Sequence, residues 1–197
     1  MTKPIIRTAT GSSVEASIID VLVRAFSGDP FAQWIWPDPQ QYQMNFPSFV
    51  KAFGGGAFAH GSAYYVDGYA AALWLPPNVQ PDEDTLNSIF QRSASEQIQN
   101  DVITVFDRMS RYHPSEPHWH LPLMGVDPLK QSKGLGSALM QHALVQCDRD
   151  NKLAYLESSN PRNISLYERH GFELLGTIQL GNSPPIFPML RRPSGGI

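Results

Sequence analysis

The sequence predicts an α/β fold with a mostly antiparallel mixed sheet and flanking helices. Two β-prone runs, 63–66 and 69–75, surround Asp67-Gly68, a pair that is typical of a hairpin turn. A strand, a helix and a second strand follow one another over 119–157, which indicates one crossover unit with parallel strands. Clustered prolines separate the segments and support this division.

Composition limits the class of protein. The chain has 197 residues, a length that predicts one domain, and its formal charge of −3 argues against a bulk electrostatic grip on nucleic acid. The longest apolar run, Tyr69–Leu75, is too short for a membrane span, and Met1-Thr2-Lys3-Pro4 shows no secretory signal. Cys147 is the sole cysteine, which excludes an internal disulfide. We therefore predict a cytoplasmic protein without nucleic-acid or membrane partners. The sequence is also compatible with a homodimer.

The first half of the chain predicts one strand, two helices and the hairpin. Ile5–Thr8 is a short β-branched run, and apolar residues recur at helical spacing from Ser12 to about Phe26. Asp29–Pro39 is predicted to be a proline-broken loop. A second helix is predicted over Gln40–Phe53, which Pro47 should kink or split.

The second half predicts the crossover unit and further strands. Two helices are expected within 82–112, and the helix with the clearest apolar face is expected over Gly134–Asp148. A short helix over Asn163–His170 should end at Gly171, a common residue at helix C-termini. The predicted strands of this half are Trp119–Val126, Leu153–Glu157, Phe172–Leu180 and Ile186–Leu190.

A glycine turn opens the best-predicted helix. Gly134 and Gly136 allow a ligand to approach the backbone, and a helix N-terminus offers unpaired N–H groups that suit a phosphate. Lys133 precedes Gly134, so the order required by a P-loop is absent. Leu139 stands where a dinucleotide fingerprint needs a small residue. An ordinary glycine-started helix remains the alternative at this point.

Two motifs resemble the Gcn5-related N-acetyltransferase (GNAT) family. Gln131–Gly136 is similar to the family's acyl-CoA motif Gln/Arg-x-x-Gly-x-Gly/Ala, and Asn160–Phe172 is similar to its Asn...Leu-Tyr-Glu-x-x-Gly-Phe signature. The resemblance covers 119–175 and looks closest to small-molecule, puromycin-type enzymes. It implies a single acyltransferase domain over 1–197 with a helical insertion at about 82–113, and a sheet that splays between its fourth and fifth strands.

The resemblance also implies acetyl-CoA as co-substrate and no metal. The coenzyme would lie where the two strands splay, with its pantetheine arm against the backbone of Met124, Gly125 and Val126. Asn160 or Asn163 would contact the arm through a side-chain amide. The turn that would hold the pyrophosphate comprises Gln131, Ser132, Lys133, Gly134, Leu135, Gly136 and Ser137.

Candidate catalytic residues follow from direct attack of an amine on a thioester, which needs proton removal, oxyanion stabilisation and protonation of the thiolate. By resemblance Tyr167 is the acid near the sulfur, although it could simply pack beside Phe172. The base is left open between His120, Glu157 and a water chain. A backbone N–H near Met124 or Gly125 would receive the oxyanion.

Aromatic residues suggest the acceptor pocket. Asp29, Phe31, Trp34 and Trp36 would suit a hydrophobic amine through charge pairing and cation–π contacts, although the rings could equally pack a loop. Trp74, at the end of the hairpin, could wall the same pocket. The predicted reaction is transfer of acetyl to a primary amine of a small molecule. The alternatives are a peptide N-terminus or lysine as acceptor, a longer acyl group, or a non-catalytic acyl-CoA sensor.

Overall fold

The computed structural model describes residues 4–195 and contains one seven-stranded mixed sheet. The strands, in chain order, are β1 (Arg7–Thr8), β2 (Ala63–Val66), β3 (Ala70–Leu75), β4 (Trp119–Val126), β5 (Ala154–Ser158), β6 (Glu173–Leu174) and β7 (Phe187–Arg191). The α-helices are α1 (Ser12–Phe26), α2 (Pro30–Ile35), α3 (Pro39–Gly54), α4 (Gly56–Ala59), α5 (Glu83–Ser93), α6 (Gln99–Ser110), α7 (Leu135–Arg149) and α8 (Ile164–Glu168). No helix within 4–195 combines the length and the apolar character that crossing a bilayer requires.

The sheet runs in the order β1-β2-β3-β4-β5-β7-β6, and β4 and β5 are its one parallel pair. Helix α7 connects these two strands, which confirms the predicted crossover unit. The hairpin is also confirmed, since Ala63–Val66 pairs antiparallel with Ala70–Leu73. The predicted α/β class with a mostly antiparallel mixed sheet is therefore correct.

Strand β4 contains one extra residue relative to β3. Leu73 pairs with Leu123 and Leu75 pairs with His120, so two steps along β3 correspond to three along β4. Such a β-bulge bends a strand and reverses which face its later residues occupy. Pro122 lies in the bulge and has no N–H for a ladder hydrogen bond.

The two faces of the sheet carry separate apolar clusters, and their membership shows the effect of the bulge. Trp119 and Leu121 pack with α7 on one face, whereas Leu123 packs with α1 and α3 on the other. Met124 then returns to the α7 face. Without the extra residue, regular alternation would have kept Leu123 on the same face as Leu121.

Three predicted elements differ from the structure. The predicted loop after Asp29 contains α2, because Asp29 caps Phe31 N–H and Ala32 N–H and Pro30 occupies the first helical position, where proline is favoured. Pro47 lies inside α3 without dividing it. The strand predicted over Phe172–Leu180 is shorter, and the chain at Gly176 passes so close to Tyr112 that a Cβ atom would lie 2.7 Å from its hydroxyl oxygen.

Gly125 allows α1 to pack directly against β4. A Cβ atom at this position would lie 2.5 Å from Ala25 Cβ and 3.2 Å from Leu22 Cδ2. Both are side chains of α1, and Ala25 Cβ is attached directly to the helix backbone. Only glycine therefore lets the helix and the strand approach this closely.

We predict that Gly125→Ala lowers the unfolding free energy by about 1–3 kcal/mol, the range for overpacking a core. A decrease in Tm measured by calorimetry checks this prediction. Gly136→Ala is the matched control, because its Cβ would lie 3.4 Å from Leu166 Cδ2 and alanine favours a helix. Equal Tm values for the two variants would contradict the close approach of α1.

Candidate active site

The sheet opens between β4 and β5. Their parallel pairing ends at Leu121 with Leu156, although β4 continues to Val126 and β5 to Ser158. A cleft of about 570 Å³ lies at this opening, between the ends of the strands and the start of α7. The predicted splay between the fourth and fifth strands is thus present, and it leaves part of the β4 backbone without a neighbouring strand.

The bulge decides which backbone groups of β4 face the opening. Asp127 N–H donates to the Tyr69 carbonyl, so Asp127, Gly125 and Leu123 direct their hydrogen-bonding groups toward β3. Met124 and Val126 alternate with them and direct their N–H and C=O groups toward the cleft. Gly125 lines the cleft, but its backbone pairs with β3 and not with the opening.

The turn before α7 is built to present N–H groups. Gly134 has φ of 77° and Ser132 has φ of 60°, so the chain passes twice through the left-handed region. The first helical hydrogen bond runs from Ala138 N–H to the Gly134 carbonyl, which leaves the preceding N–H groups without helical acceptors. A helix N-terminus of this kind attracts anions. A Cβ atom added to Gly134 would have no neighbouring atom within 4 Å, so the space in front of the turn is open.

Most residues predicted to hold the coenzyme line the cleft. Lys133 is the exception, because it is exposed and lies outside the cleft lining. The predicted residues that line it are Met124, Gly125, Val126, Gln131, Ser132, Gly134, Leu135, Gly136, Ser137, Asn160, Asn163 and Tyr167. Asn160 uses its side-chain oxygen to accept from Arg162 N–H, so that oxygen is already occupied in the turn before α8.

Tyr167 lies at the junction of the cleft with a second cavity. The side chain is 7% exposed, and its ring meets Phe172 edge-on with centroids 6.2 Å apart. Tyr167 therefore both packs against Phe172 and lines the junction. Burial, and then the charge of Asp29, raise the pKa of the Tyr167 phenol above its usual value. Tyr167 is consequently held in its protonated form.

The second cavity, of about 70 Å³, is enclosed mainly by aromatic rings and is called the aromatic cavity here. It meets the cleft at residues that line both, including Asp29, Met124, Asn163 and Tyr167. Its aromatic lining comes from α1, α2, α3 and α6 and from Trp36, which follows α2: Phe26, Phe31, Trp36, Phe46, Phe49, Phe53 and Phe106. An apolar group could occupy this space beside a thioester in the cleft.

Asp29 places a carboxylate at the mouth of the aromatic cavity. One oxygen caps α2, and the other accepts from the Ser159 hydroxyl at 2.6 Å. Burial raises the pKa of Asp29, even though these hydrogen bonds act to lower it. Ser159 was not identified from the sequence, and it ties the end of β5 to the start of α2.

A cluster of three residues lies on the other side of the aromatic cavity. Glu157 accepts from His113 Nε2 on one oxygen and from His120 Nε2 on the other, both at 3.0 Å. The Glu157 side chain is 3% exposed and that of His120 is 5% exposed. The structure thus joins the two candidate bases in one hydrogen-bonded group and adds His113, which comes from the segment between α6 and β4.

The two histidines keep Glu157 ionised. Burial acts to raise the pKa of Glu157, but the charge and N–H donors of His120 and His113 outweigh it and lower the pKa to about 2. Burial lowers the pKa of His120 despite the neighbouring carboxylate. His120 Nδ1 is buried and has no hydrogen-bond partner among residues 4–195.

A third cavity, of about 350 Å³, opens behind this cluster and is called the side cavity here. It is walled by α5, α6 and the segment before β4, which gives the helical segment near 82–113 a place beside the site. His113, His118, His120 and Glu157 line it. His113 was missed in the sequence, although three histidines within eight residues could have drawn attention to it.

Two of the predicted acceptor residues lie away from these cavities. Trp74 is 1% exposed and packs on the opposite face of the sheet with the cluster under α7. Trp34 packs against Phe31, with centroids 5.4 Å apart, but does not line the aromatic cavity. Asp29 and Phe31 do line it. Strand alternation explains Trp74, because its neighbours Leu73 and Leu75 face the side that carries the site.

Comparison with known proteins agrees with this geometry. The family model for the acetyltransferase (GNAT) domain matches residues 97–174. An uncharacterized N-acetyltransferase of Schizosaccharomyces pombe is 33% identical over 78 residues, which are 38% of this chain and 32% of that protein. The match therefore spans about a third of the length of this curated relative.

Solved structures match over almost the whole chain. A structure from Corynebacterium glutamicum described as histone acetyltransferase HPA2 and related acetyltransferase is 28% identical, with a TM-score of 0.71 and 99% of each chain covered. Arylalkylamine N-acetyltransferase 2 of Aedes aegypti is 15% identical, with a TM-score of 0.66 over 95% of this chain and 98% of that chain. At this low identity, the similarity is evidence for a shared fold and for nothing further. Residues 97–174 therefore match the acetyltransferase (GNAT) domain, and the whole chain has a fold similar to that of solved acetyltransferases.

Proposed function

We propose that the protein transfers the acetyl group of acetyl-CoA directly to a primary amine, most readily that of a small molecule with an apolar body. The observation that carries the proposal is the junction at Tyr167, where a cleft with an anion-binding helix terminus meets an aromatic cavity with buried carboxylates. Each part suits one component of the reaction.

The cleft suits the coenzyme. The pyrophosphate would receive N–H groups from the turn that ends at Gly134 and from the first residues of α7. The pantetheine arm carries amides, and the cleft-facing N–H and C=O groups of Met124 and Val126 could pair with them as a neighbouring strand would. Asn163 lines both spaces and lies where the arm would enter the aromatic cavity.

The residues at the junction suit the reaction. A neutral amine attacks the thioester carbonyl, the developing oxyanion needs a donor, and the departing thiolate needs a proton. Met124 N–H faces the opening and is our candidate oxyanion donor. Tyr167 retains its proton and is our candidate acid for the thiolate. With these two groups fixed by strand and helix, the donors are in place before the substrate binds.

We propose that Glu157 is the residue that binds the amine of the substrate and removes its proton. Its ionised carboxylate lines the aromatic cavity, whereas the cavity that His120 lines is the side cavity. Glu157 would attract the substrate ammonium and receive its proton, and His120 would hold the carboxylate in position through its 3.0 Å hydrogen bond. Asp29 would contribute a second negative charge at the mouth of the cavity.

The apolar lining favours a small hydrophobic amine as acceptor. Six phenylalanines and one tryptophan surround the aromatic cavity, so a polar body behind the amino group would lose hydration with few hydrogen bonds in return. A protein or peptide acceptor is the second candidate, because the relative from Corynebacterium glutamicum is described as a histone acetyltransferase. A non-catalytic coenzyme sensor is the third. The cytoplasmic location and the homodimer stay predictions from the sequence.

We predict that Gly134→Asp abolishes acetyl-CoA binding, because it adds a negative charge to the turn and strains a left-handed residue. Isothermal calorimetry with acetyl-CoA measures the loss. Gly61→Asp is the matched control, since Gly61 has φ of 64° and likewise has open space around it. Micromolar binding retained by Gly134→Asp would contradict the pyrophosphate site.

We predict that Tyr167→Phe lowers kcat by about 10²-fold or more while acetyl-CoA affinity stays within about twofold, since only the acid is removed. Release of free CoA thiol measures kcat. Tyr64→Phe provides the control, because Tyr64 is also buried but packs against His142 on the opposite face of the sheet. Unchanged turnover of Tyr167→Phe would remove Tyr167 from the reaction.

We predict that kcat/KM is at least tenfold higher for a primary amine bearing a phenyl ring than for a hydroxyalkyl amine of equal length, because only the ring gains apolar contacts. The same thiol assay, run with both amines, an N-terminal peptide and a lysine peptide, measures the preference. Turnover of the peptides alone would replace the small-molecule proposal by the peptide one, and coenzyme binding without any turnover would favour the sensor.

A further inference from the structure

We propose that His113 and His118 form a proton relay that carries the proton of the acceptor amine from Glu157 to the side cavity. The relay rests on the proposed function, because it disposes of the proton which that reaction releases. Neither histidine was assigned this role by the sequence motifs, and neither lines the coenzyme cleft or the aromatic cavity.

The relay is an unbroken chain of side chains. Glu157 Oε1 lies 3.0 Å from His113 Nε2, and His113 Nδ1 lies 3.2 Å from His118 Nε2. His118 Nδ1 lies 2.8 Å from the carbonyl oxygen of Glu116. The chain therefore leads from a buried carboxylate to a partly exposed imidazole at the start of β4.

Counting protons shows that the chain as arranged holds a positive charge. Both of its ends, the Glu157 carboxylate and the Glu116 carbonyl, only accept hydrogen bonds. Its three contacts need three N–H protons, but two neutral imidazoles supply two. The His113–His118 pair must therefore carry one proton beyond neutrality. Burial lowers the pKa of His118, and His113 is the ring in direct contact with the Glu157 carboxylate.

Glu157 is the group that connects the two spaces. Among the described residues, those lining both the aromatic cavity and the side cavity are Phe53, Phe106, Met109 and Glu157, and only Glu157 can transfer a proton. A proton that leaves the aromatic cavity on this side therefore passes through Glu157. His113 and His118 stand on the side-cavity face of that carboxylate.

Glu157 needs such an outlet because it is a weak final acceptor. Its pKa near 2 means that it cannot retain a proton taken from an ammonium group. His120 already directs Nε2 at the same carboxylate. Two further carboxylates, Glu83 of α5 and Asp107 of α6, line the side cavity, and Tyr155 of β5 packs against His113 with centroids 4.3 Å apart. Asp107 is itself paired with Arg111, so the counter-charge in direct contact with the His113–His118 pair is Glu157.

The proton balance of one turnover is simple. The charged pair first releases one proton to water in the side cavity. The two protons that remain then occupy His113 Nδ1 and His118 Nδ1, so that His113 Nε2 is free to accept one. The ammonium group then gives a proton to Glu157, which passes it to His113 Nε2, and the neutral amine attacks the thioester. The pair regains its charge, and no oxidant, reductant or other reactant is consumed.

Nitrogen-15 NMR of the histidines tests the resting charge without reference to activity. We expect three N–H protons on the His113–His118 pair at rest and two after one is lost. Glu157→Gln should leave two N–H protons on the pair, because it removes the counter-charge. Two neutral imidazoles throughout the range from pH 5 to pH 8 would overturn the relay.

Kinetics of His118→Ala test the transfer itself. We expect kcat in dilute buffer to fall about tenfold or more, with acetyl-CoA affinity unchanged, and high concentrations of imidazole buffer to restore most of the rate. A variant impaired only in packing would not be rescued by buffer. His60→Ala serves as the control, because His60 is exposed and bonds only to the Gly56 carbonyl of its own helix.

The outcomes separate the relay from the proposed function. Wild-type turnover with an unaffected His118→Ala variant would overturn the relay and leave the acetyltransferase standing. Absence of turnover by the wild type would count against the function, while NMR would still decide the charge of the pair.

His113, His120 and Glu157 also offer ligand atoms within 4.8 Å of one another. If one Co²⁺ ion binds per protein with d–d absorption, and His113→Ala removes that absorption, the cluster is a metal site and the relay is overturned.

Discussion

The extra residue in β4 is the constraint on which the site depends. It reverses the alternation of the strand after His120, so that Leu123 faces α1 and α3 while the backbone of Met124 and Val126 faces the opening. The pairing of β4 with β5 ends at the same place, at Leu121 with Leu156. Pro122 follows directly and cannot supply a ladder hydrogen bond. The cleft thus opens where this local irregularity lies.

The sheet then serves two spaces that meet at one place. The cleft takes its anion-binding character from the helix terminus at Gly134, and the aromatic cavity takes its apolar character from α2, α3 and α6. Tyr167 and Met124 stand where the two meet, which suits the transfer of a group from a coenzyme to an amine. Glu157 closes the far side, and it connects the aromatic cavity to the histidines of the side cavity.

The two buried carboxylates of the site, Asp29 and Glu157, lie in different electrostatic environments. Asp29 is buried at the mouth of the aromatic cavity, where burial raises its pKa, while Glu157 is held ionised by two imidazoles. The two carboxylates therefore differ in their readiness to take a proton, although both are almost fully buried. The charge and N–H donors of two histidines outweigh burial at Glu157, whereas the hydrogen bonds of Asp29 do not outweigh it.

The sequence by itself determined the α/β class, the hairpin, the crossover unit and the glycine turn, because these depend on patterns within a few residues of one another. The start of α2 at Asp29-Pro30 is a local signal that the sequence reading did not use. No local pattern reveals that Trp74 faces α7 or that His113 reaches Glu157, 44 residues further along the chain. Tertiary structure decided these two outcomes, because the pairing of strands and the packing between distant segments set which side chains share a cavity.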